Sequence, residues 1–140
     1  MQTVEPASGR IEGFLTAADD ESPIVMINLL RYRAQAAYPK DFEAEPCSGR
    51  EAYARYGATA AKTIASVGGR MLWMGSVRAS LIAPDAEQWD DAILVEYPSR
   101  KAFVEMVSQP VYQAAAPHRT AALEDSRLIA TRTLASSLGQ

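Results

Sequence analysis

The sequence predicts an α+β protein: a four-stranded antiparallel sheet with its helices on one face. Two observations carry this. From residue 24 onward the pattern runs strand, helix, strand, strand, helix, strand, and right-handed crossovers turn that order into two interleaved β-α-β units with strands one and three central. In addition, the first strand, Ile24-Val25-Met26-Ile27-Asn28-Leu29-Leu30-Arg31, is apolar on both parities, as is Ile93-Leu94-Val95 in strand three. A sheet wetted on one face alternates polar with apolar residues. These strands do not, so both faces require cover, and a two-fold dimer packing sheet on sheet supplies it.

Residues 6–18 carry Ile11, Phe14, Leu15 and Ala18 at helical spacing, with Pro6 placed for a first turn. Gly9 and Gly13 each cost about 1 kcal/mol in a helix interior, so packing must hold this segment. The first strand follows Pro23. A connection over 32–47, with Pro39 and Pro46 and the apolar anchors Tyr32, Tyr38 and Phe42, is long for a compact domain and suits a lid or arm.

Ser48 with Glu51 forms a capping box at the next helix. Tyr53, Tyr56, Ala60, Ile64 and Val67 recur along it, and Gly68-Gly69 ends it. Strand two is expected from Arg70 to about Ala83, bent near Gly75-Ser76, and strand three from about Gln88 to Tyr97. Ser99 is a natural N-cap for a helix buried through Phe103, Met106 and Val107. Gln109-Pro110 breaks that helix. A second helical segment spans about 111–124, where Pro117 removes a backbone hydrogen bond and favours a kink. Strand four is expected over Arg127–Thr133, followed by a frayed tail from Ala135 to Gln140. The expected organisation is one domain over 1–140, with a core at 24–134 and the helix at 6–18 packed on it.

Composition narrows the function. The chain carries 14 basic and 17 acidic residues without a block of like charge, which argues against nucleic-acid or anionic-membrane partners. Cys47 is the lone cysteine, so neither an intrachain disulfide nor a thiolate metal cluster is expected. No signal-like start and no apolar run of about 20 residues is visible, and the expected setting is cytoplasmic. Gly68-Gly69 closes a helix instead of opening one, so there is no phosphate-binding loop. A single histidine, His118, argues against a zinc site. One axial ligand would suffice for haem, but the residues imply no cofactor.

Asn28-Leu29-Leu30-Arg31, Tyr53-x-x-Tyr56-Gly57, Gly68-Gly69-Arg70-x-Leu72-Trp73, Trp89-Asp90, Val95-Glu96-Tyr97-Pro98-Ser99, Tyr112-Gln113, His118-Arg119 and Ala122-Leu123-x-Asp125-Ser126 together resemble the bacterial domain of unknown function family 1330. The resemblance covers about residues 24–130. It implies a ferredoxin-like fold in the dimeric α+β barrel superfamily, whose members include small monooxygenases, lactone isomerases and haem-handling enzymes, with ligands between sheet and helices or inside the barrel. Pro117 departs from the family's helix pattern.

The candidate chemistry rests on six residues. His118 and Glu96 are the candidate proton-transfer groups, His118 because its ordinary pKa lies near neutrality and Glu96 if burial raises it. A salt bridge from Glu96 to Arg31 is the alternative. Asn28 and Arg119 would orient polar groups of a ligand, while Tyr56 and Trp73 would form walls. Each also has a plain structural role: a helix-surface contact for His118, a backbone bond for Asn28, core packing for Tyr56 and Trp73. Adjacent helical residues diverge by about 100°, so His118 and Arg119 should face different ways. The reading is a small homodimer with one apolar pocket per chain for a small organic molecule, using acid–base or oxygen chemistry without a cofactor if it is an enzyme. The alternative is a non-catalytic ligand-binding or structural dimer module.

Overall fold

The computed structural model describes residues 1–16 and 21–138. Its elements are α1 (Arg10–Thr16), β1 (Ile24–Tyr32), α2 (Gly49–Ser66), β2 (Arg70–Ser76), β3 (Asp91–Tyr97), α3 (Arg100–Ser108), α4 (Pro110–Ala122) and β4 (Leu123–Thr131). The sheet order is β2-β3-β1-β4, with every pair antiparallel. Strands one and three are central, as the order of elements predicts. The architecture is α+β and ferredoxin-like.

Register separates the two faces. Residues directly opposite one another share a face and neighbours along a strand alternate. In β3 the residues Asp91, Ile93, Val95 and Tyr97 are buried while Ala92, Leu94 and Glu96 between them are not. Ile93, Val95 and Tyr97 join Met26 and Leu30 of β1 and Phe103 and Met106 of α3 in one core. This is the helix-facing side. Leu30 and Leu123 are completely buried, each worth about 1.5–3 kcal/mol relative to exposure. On the other side, Ile27, Leu29, Ala92, Leu94 and Glu96 stay half-exposed. Trp73, opposite Leu94, is 45% exposed, and Ile129, opposite Ile27, is 49% exposed. The second face is therefore apolar and open in the single chain.

Local signals explain the helix ends. The Ser48 hydroxyl accepts from the Glu51 amide at 3.0 Å and the Ser48 amide donates to the Glu51 carboxylate at 2.8 Å, which is the reciprocal capping box. The next residue, Gly49, sits so close to the backbone of Arg33 and to the Ala122 carbonyl that a Cβ would collide with them. This glycine lets α2 begin directly against the junction of β1 and β4. Gly68 takes a φ of 82° beyond the end of α2, a left-handed conformation that other residues resist. The Ser99 hydroxyl accepts from Ala102 at 3.0 Å and starts α3.

Several expected boundaries move. The helix expected over 6–18 begins at Arg10, because Gly9 adopts a φ of 81° just before it; Ala18 and the acidic end of that segment lie outside the described residues. Phe14 anchors it edge-on to Phe103 at 5.9 Å. Strand two stops at Ser76 and not near Ala83. Strand three begins only at Asp91, so 77–83 face no partner strand apart from the Val77 amide bond to Asp90. Leu81 and Ile82 are consequently 91% and 99% exposed. Strand two carries a register shift between Met71 and Trp73 in place of the expected bend. The last helix ends at Ala122, and β4 starts at Leu123 without a loop, four residues before the expected Arg127. Pairing with Tyr32 and Arg31 captures Leu123 and Asp125 into the sheet. Pro117 is accommodated inside α4, which runs unbroken to Ala122. Gln140 and Gly139 of the tail lie outside the described residues.

Two unforeseen features frame the helical layer. The connection after β1 is pinned by Arg33 and Ala37 amides donating to the Ala122 and Ala121 carbonyls, both at 2.9 Å. Residues Met1–Glu5 form a strap along β4 and α4. Thr3 exchanges bonds with Ser126: its hydroxyl donates to the Ser126 carbonyl at 2.6 Å, and its carbonyl accepts from the Ser126 hydroxyl at 2.9 Å. Its amide donates to Asp125 at 2.8 Å.

Candidate functional site

Five of the six tyrosines gather where α2 and α4 meet the helix-facing side of the sheet. Tyr53 and Tyr56 project from successive turns of α2, with ring centroids 5.2 Å apart. Tyr56 meets Tyr112 of α4 edge-on at 5.8 Å, and their hydroxyls are 2.9 Å apart. Tyr32, at the end of β1, lies 5.6 Å from Tyr53. Tyr97 of β3 belongs to the same core, edge-on to Phe103 at 5.2 Å. Burial raises the pKa of Tyr32, Tyr53, Tyr56 and Tyr97 above the ordinary phenol value, with neighbouring acidic groups adding to the rise. All remain protonated donors at neutral pH.

Charge enters at two points. At one end the Asp91 carboxylate accepts from the Tyr32 hydroxyl at 2.6 Å and from Arg50 at 3.1 Å, and the Arg50 guanidinium lies 4.6 Å above the Tyr32 ring. At the other end Arg119, in the last turn of α4, donates to the Val4 carbonyl of the strap at 2.6 Å. It also lies beside the Tyr53 hydroxyl, where its charge opposes the rise that burial imposes on that phenol.

The six residues singled out in the sequence do not converge. Tyr56 and Arg119 belong to the tyrosine cluster. Asn28 shares their side of the sheet, opposite Ile93, but its amide makes only a long 3.5 Å bond to the Ile93 carbonyl. Glu96 and Trp73 stand on the open face. Glu96 pairs with Arg70 at 3.2 Å, not with Arg31, which pairs with Glu124 at 3.0 Å. Register decides this: Glu96 sits opposite Val25 and Arg70, six residues along β1 from Arg31. The Trp73 ring lies over Gly75, where a Cβ would collide with it. His118 faces the connection after β1. Its Nδ1 lies 2.6 Å from the Tyr38 hydroxyl, and Tyr38 and Phe42 meet its ring edge-on. Glu96 and His118, the two alternative proton-transfer candidates, therefore stand apart, each with its own partners.

Sequence reasoning left Tyr53 and Tyr112 outside its candidate site, named Tyr38 only as an apolar anchor of the connection, and did not single out Arg50, Arg55 or Asp91. The signal that could have found the cluster was the concentration of tyrosine on facing helical stripes. A separate surface cavity of about 370 Å3, lined by Glu5, Ala37, Pro39, Gln113, Pro117 and Thr120 among others, opens between strap and connection. None of the six residues lines it, and its one carboxylate, Glu5, already accepts from Thr120 at 2.9 Å. The described residues contain no group of three or more His, Cys, Asp or Glu side chains placed to hold a metal. Among the described residues no helix is long and apolar enough to cross a membrane.

The model of the family described as "Domain of unknown function (DUF1330)" matches residues 47–133. The chain belongs to this family. A protein of unknown function from Rhodopseudomonas palustris, solved by crystallography, is 42% identical over 97% of this chain and 100% of its own, with a TM-score of 0.88. A putative antibiotic biosynthesis monooxygenase from Bacteroides thetaiotaomicron shares the fold at 15% identity, with a TM-score of 0.53 over 86% of this chain and 97% of its own. A hydroxynitrile lyase from Passiflora edulis does so at 12% identity, with a TM-score of 0.52 over 80% and 94%. No curated protein matches. The family and fold are thereby established; the two enzymes contribute the fold alone.

Proposed function

We propose that this DUF1330 protein is a cytoplasmic homodimer that binds a small organic molecule between α2, α4 and the helix-facing side of its sheet. The observation that carries the reading is the tyrosine cluster itself. Tyr53, Tyr56 and Tyr112 bring phenol rings and hydroxyls together at a helix–sheet seam, with the guanidinium of Arg119 near Tyr53. Apolar walls with a few convergent polar groups are what a ligand site requires. Dimerisation accounts for the open face: Leu94, Ile27, Trp73 and Ile129 form an apolar surface that a second copy covers isologously.

Binding is favoured over cofactor-free acid–base or oxygen chemistry because neither His118 nor Glu96 reaches the cluster. A purely structural dimer is the second reading. It draws on Asn28, whose side chain bonds only to backbone, and on the close ring-to-ring packing of the tyrosines. Native mass spectrometry of the purified protein separates them. The proposed function gives a dimer mass, with a small adduct or uptake of an added small organic ligand. A dimer that takes up no ligand supports the structural module, and a monomer overturns the homodimer.

A further inference from the structure

Arg119 has no counter-charge among the described residues. Arg31, Arg50 and Arg127 pair with carboxylates at 3.0, 3.1 and 2.7 Å. Among the described residues Arg119, although half-buried, pairs with none. Its hydrogen bond goes to a neutral oxygen, the Val4 carbonyl, and the neutral Tyr53 phenol lies near it. A guanidinium withdrawn from water and matched only by neutral groups is electrostatically incomplete. Its forked N–H donors fit the two oxygens of a carboxylate.

The surrounding hydroxyls point the same way. Tyr56 and Tyr112 bond to each other, and in such a pair one phenol donates and the other accepts. The accepting phenol keeps a proton with no other acceptor among the described residues. The Tyr53 hydroxyl, near Arg119, likewise donates to no acceptor there. The seam thus holds more donors than acceptors, around a cation. That imbalance is the signature of a site for an anion. The ring walls, and the apolar slot that the Val4 side chain fills against the core, set the character of the rest of the ligand.

We propose that Arg119, with Tyr53, Tyr56 and Tyr112, binds the carboxylate of a small aryl or branched-chain acid, and that Val4 of the N-terminal strap holds this place in the free protein. The Val4 carbonyl stands where a carboxylate oxygen binds, and the Val4 side chain stands where the apolar body binds. The strap must lift for the acid to enter. Its anchor is Thr3, held by Asp125, Ser126 and Arg127. The strap therefore competes with the ligand, and weakening the anchor raises apparent affinity.

This assignment rests on the helix–sheet seam being the ligand site, and the test separates the two. Thermal unfolding of the full chain is followed with phenylacetate and with its neutral isostere phenylacetamide, each at millimolar concentration. Phenylacetate is expected to raise the melting temperature with dose, as a ligand of the native state must, and phenylacetamide to have at least tenfold weaker effect. Arg119→Gln should abolish the preference for the acid, Arg119→Lys should retain part of it, and Thr3→Val should strengthen phenylacetate binding several-fold. Equal binding of acid and amide, or an unchanged preference in Arg119→Gln, overturns the carboxylate assignment and leaves the seam as a ligand site. Binding of neither probe overturns both. If Arg119→Gln fails to fold, the comparison of Thr3→Val with the unaltered chain decides: no gain in phenylacetate affinity overturns the role of the strap.

Discussion

The Tyr38 hydroxyl and Nδ1 of His118 are hydrogen-bonded across 2.6 Å, joining the connection after β1 to α4. Arg55 of α2 donates to the same phenol oxygen at 3.2 Å, so Tyr38 ties α2 and α4 to the connection. His118, a candidate proton-transfer group from the sequence, thus fastens the connection to the helical layer. Burial lowers its pKa below the ordinary value of 6.5, and the Arg55 cation lowers it further.

A pH dependence follows. With the folded pKa below the unfolded one, the unfolded chain binds more protons in the interval between them, so stability rises with pH there. The contribution of His118 is complete above about pH 6.5, the unfolded value, and is lost as pH falls through the lower folded value. Urea unfolding between mildly acidic and neutral pH should show this slope, and His118→Gln should flatten it. An unchanged slope in the variant excludes His118 as its source.

Tyr38→Phe removes the hydroxyl that both His118 and Arg55 use. Global stability should fall by about 1 kcal/mol, the net worth of a typical hydrogen bond. Amide exchange should quicken within residues 33–47 and leave β1 and β3 unchanged. Uniform acceleration would show that the connection does not open on its own.

Core and cap residues separate by magnitude. Leu30→Ala empties a fully buried position and should cost about 2–5 kcal/mol in denaturant unfolding. Ser99→Ala removes the hydroxyl that caps α3 and should cost about 1 kcal/mol. Equal losses would contradict the assignment of Leu30 to the centre of the core.

Leu94→Glu puts a charge in the middle of the open sheet face, opposite Trp73 and Ile27. In sedimentation equilibrium the unaltered chain should run at twice its 15.2 kDa, and the variant should shift to the monomer mass with its helical circular dichroism intact. A variant that remains dimeric would place the contact elsewhere.

Asp125 gives the strap a separate acid limit. Burial pushes its pKa up, but the Thr3 amide and the Arg127 guanidinium outweigh that and hold the carboxylate below its usual range. Its contribution is present above the unfolded value of about 4 and lost as pH falls through the lower folded one. Asp125→Asn should release Met1–Glu5 at neutral pH, visible as accelerated amide exchange at Thr3.

The sheet was legible because its signals are local. The doubled apolar parity of β1 marked a central strand, Ser48 and Glu51 marked the start of α2, and Ser99 marked that of α3. What failed depended on register and on distant partners. Glu96 looked free to meet Arg31 because nothing in either strand states that Val25 and Arg70 lie opposite it. Leu123 continued a helical stripe and was read as helix, although pairing with Tyr32 makes it strand. Met1–Glu5 carries no pattern, and its hold on Asp125 and Ser126 spans more than a hundred residues of sequence. For the candidate site, Tyr56 and Arg119 were singled out by residue type and spacing. Their convergence with Tyr53 and Tyr112 required the packing of α2 on α4.

The seam between helices and sheet as a ligand site is tested most directly by nuclear magnetic resonance of the chain with 13C-labelled tyrosine rings, titrated with phenylacetate. Tyr38 lies on the His118 side of α4, whereas Tyr53, Tyr56 and Tyr112 form a cluster of their own with Arg119 near Tyr53. The account predicts saturable shifts in the rings of Tyr53, Tyr56 and Tyr112 while Tyr38 stays still. Shifts confined to Tyr38, or no shift in any ring, would contradict it.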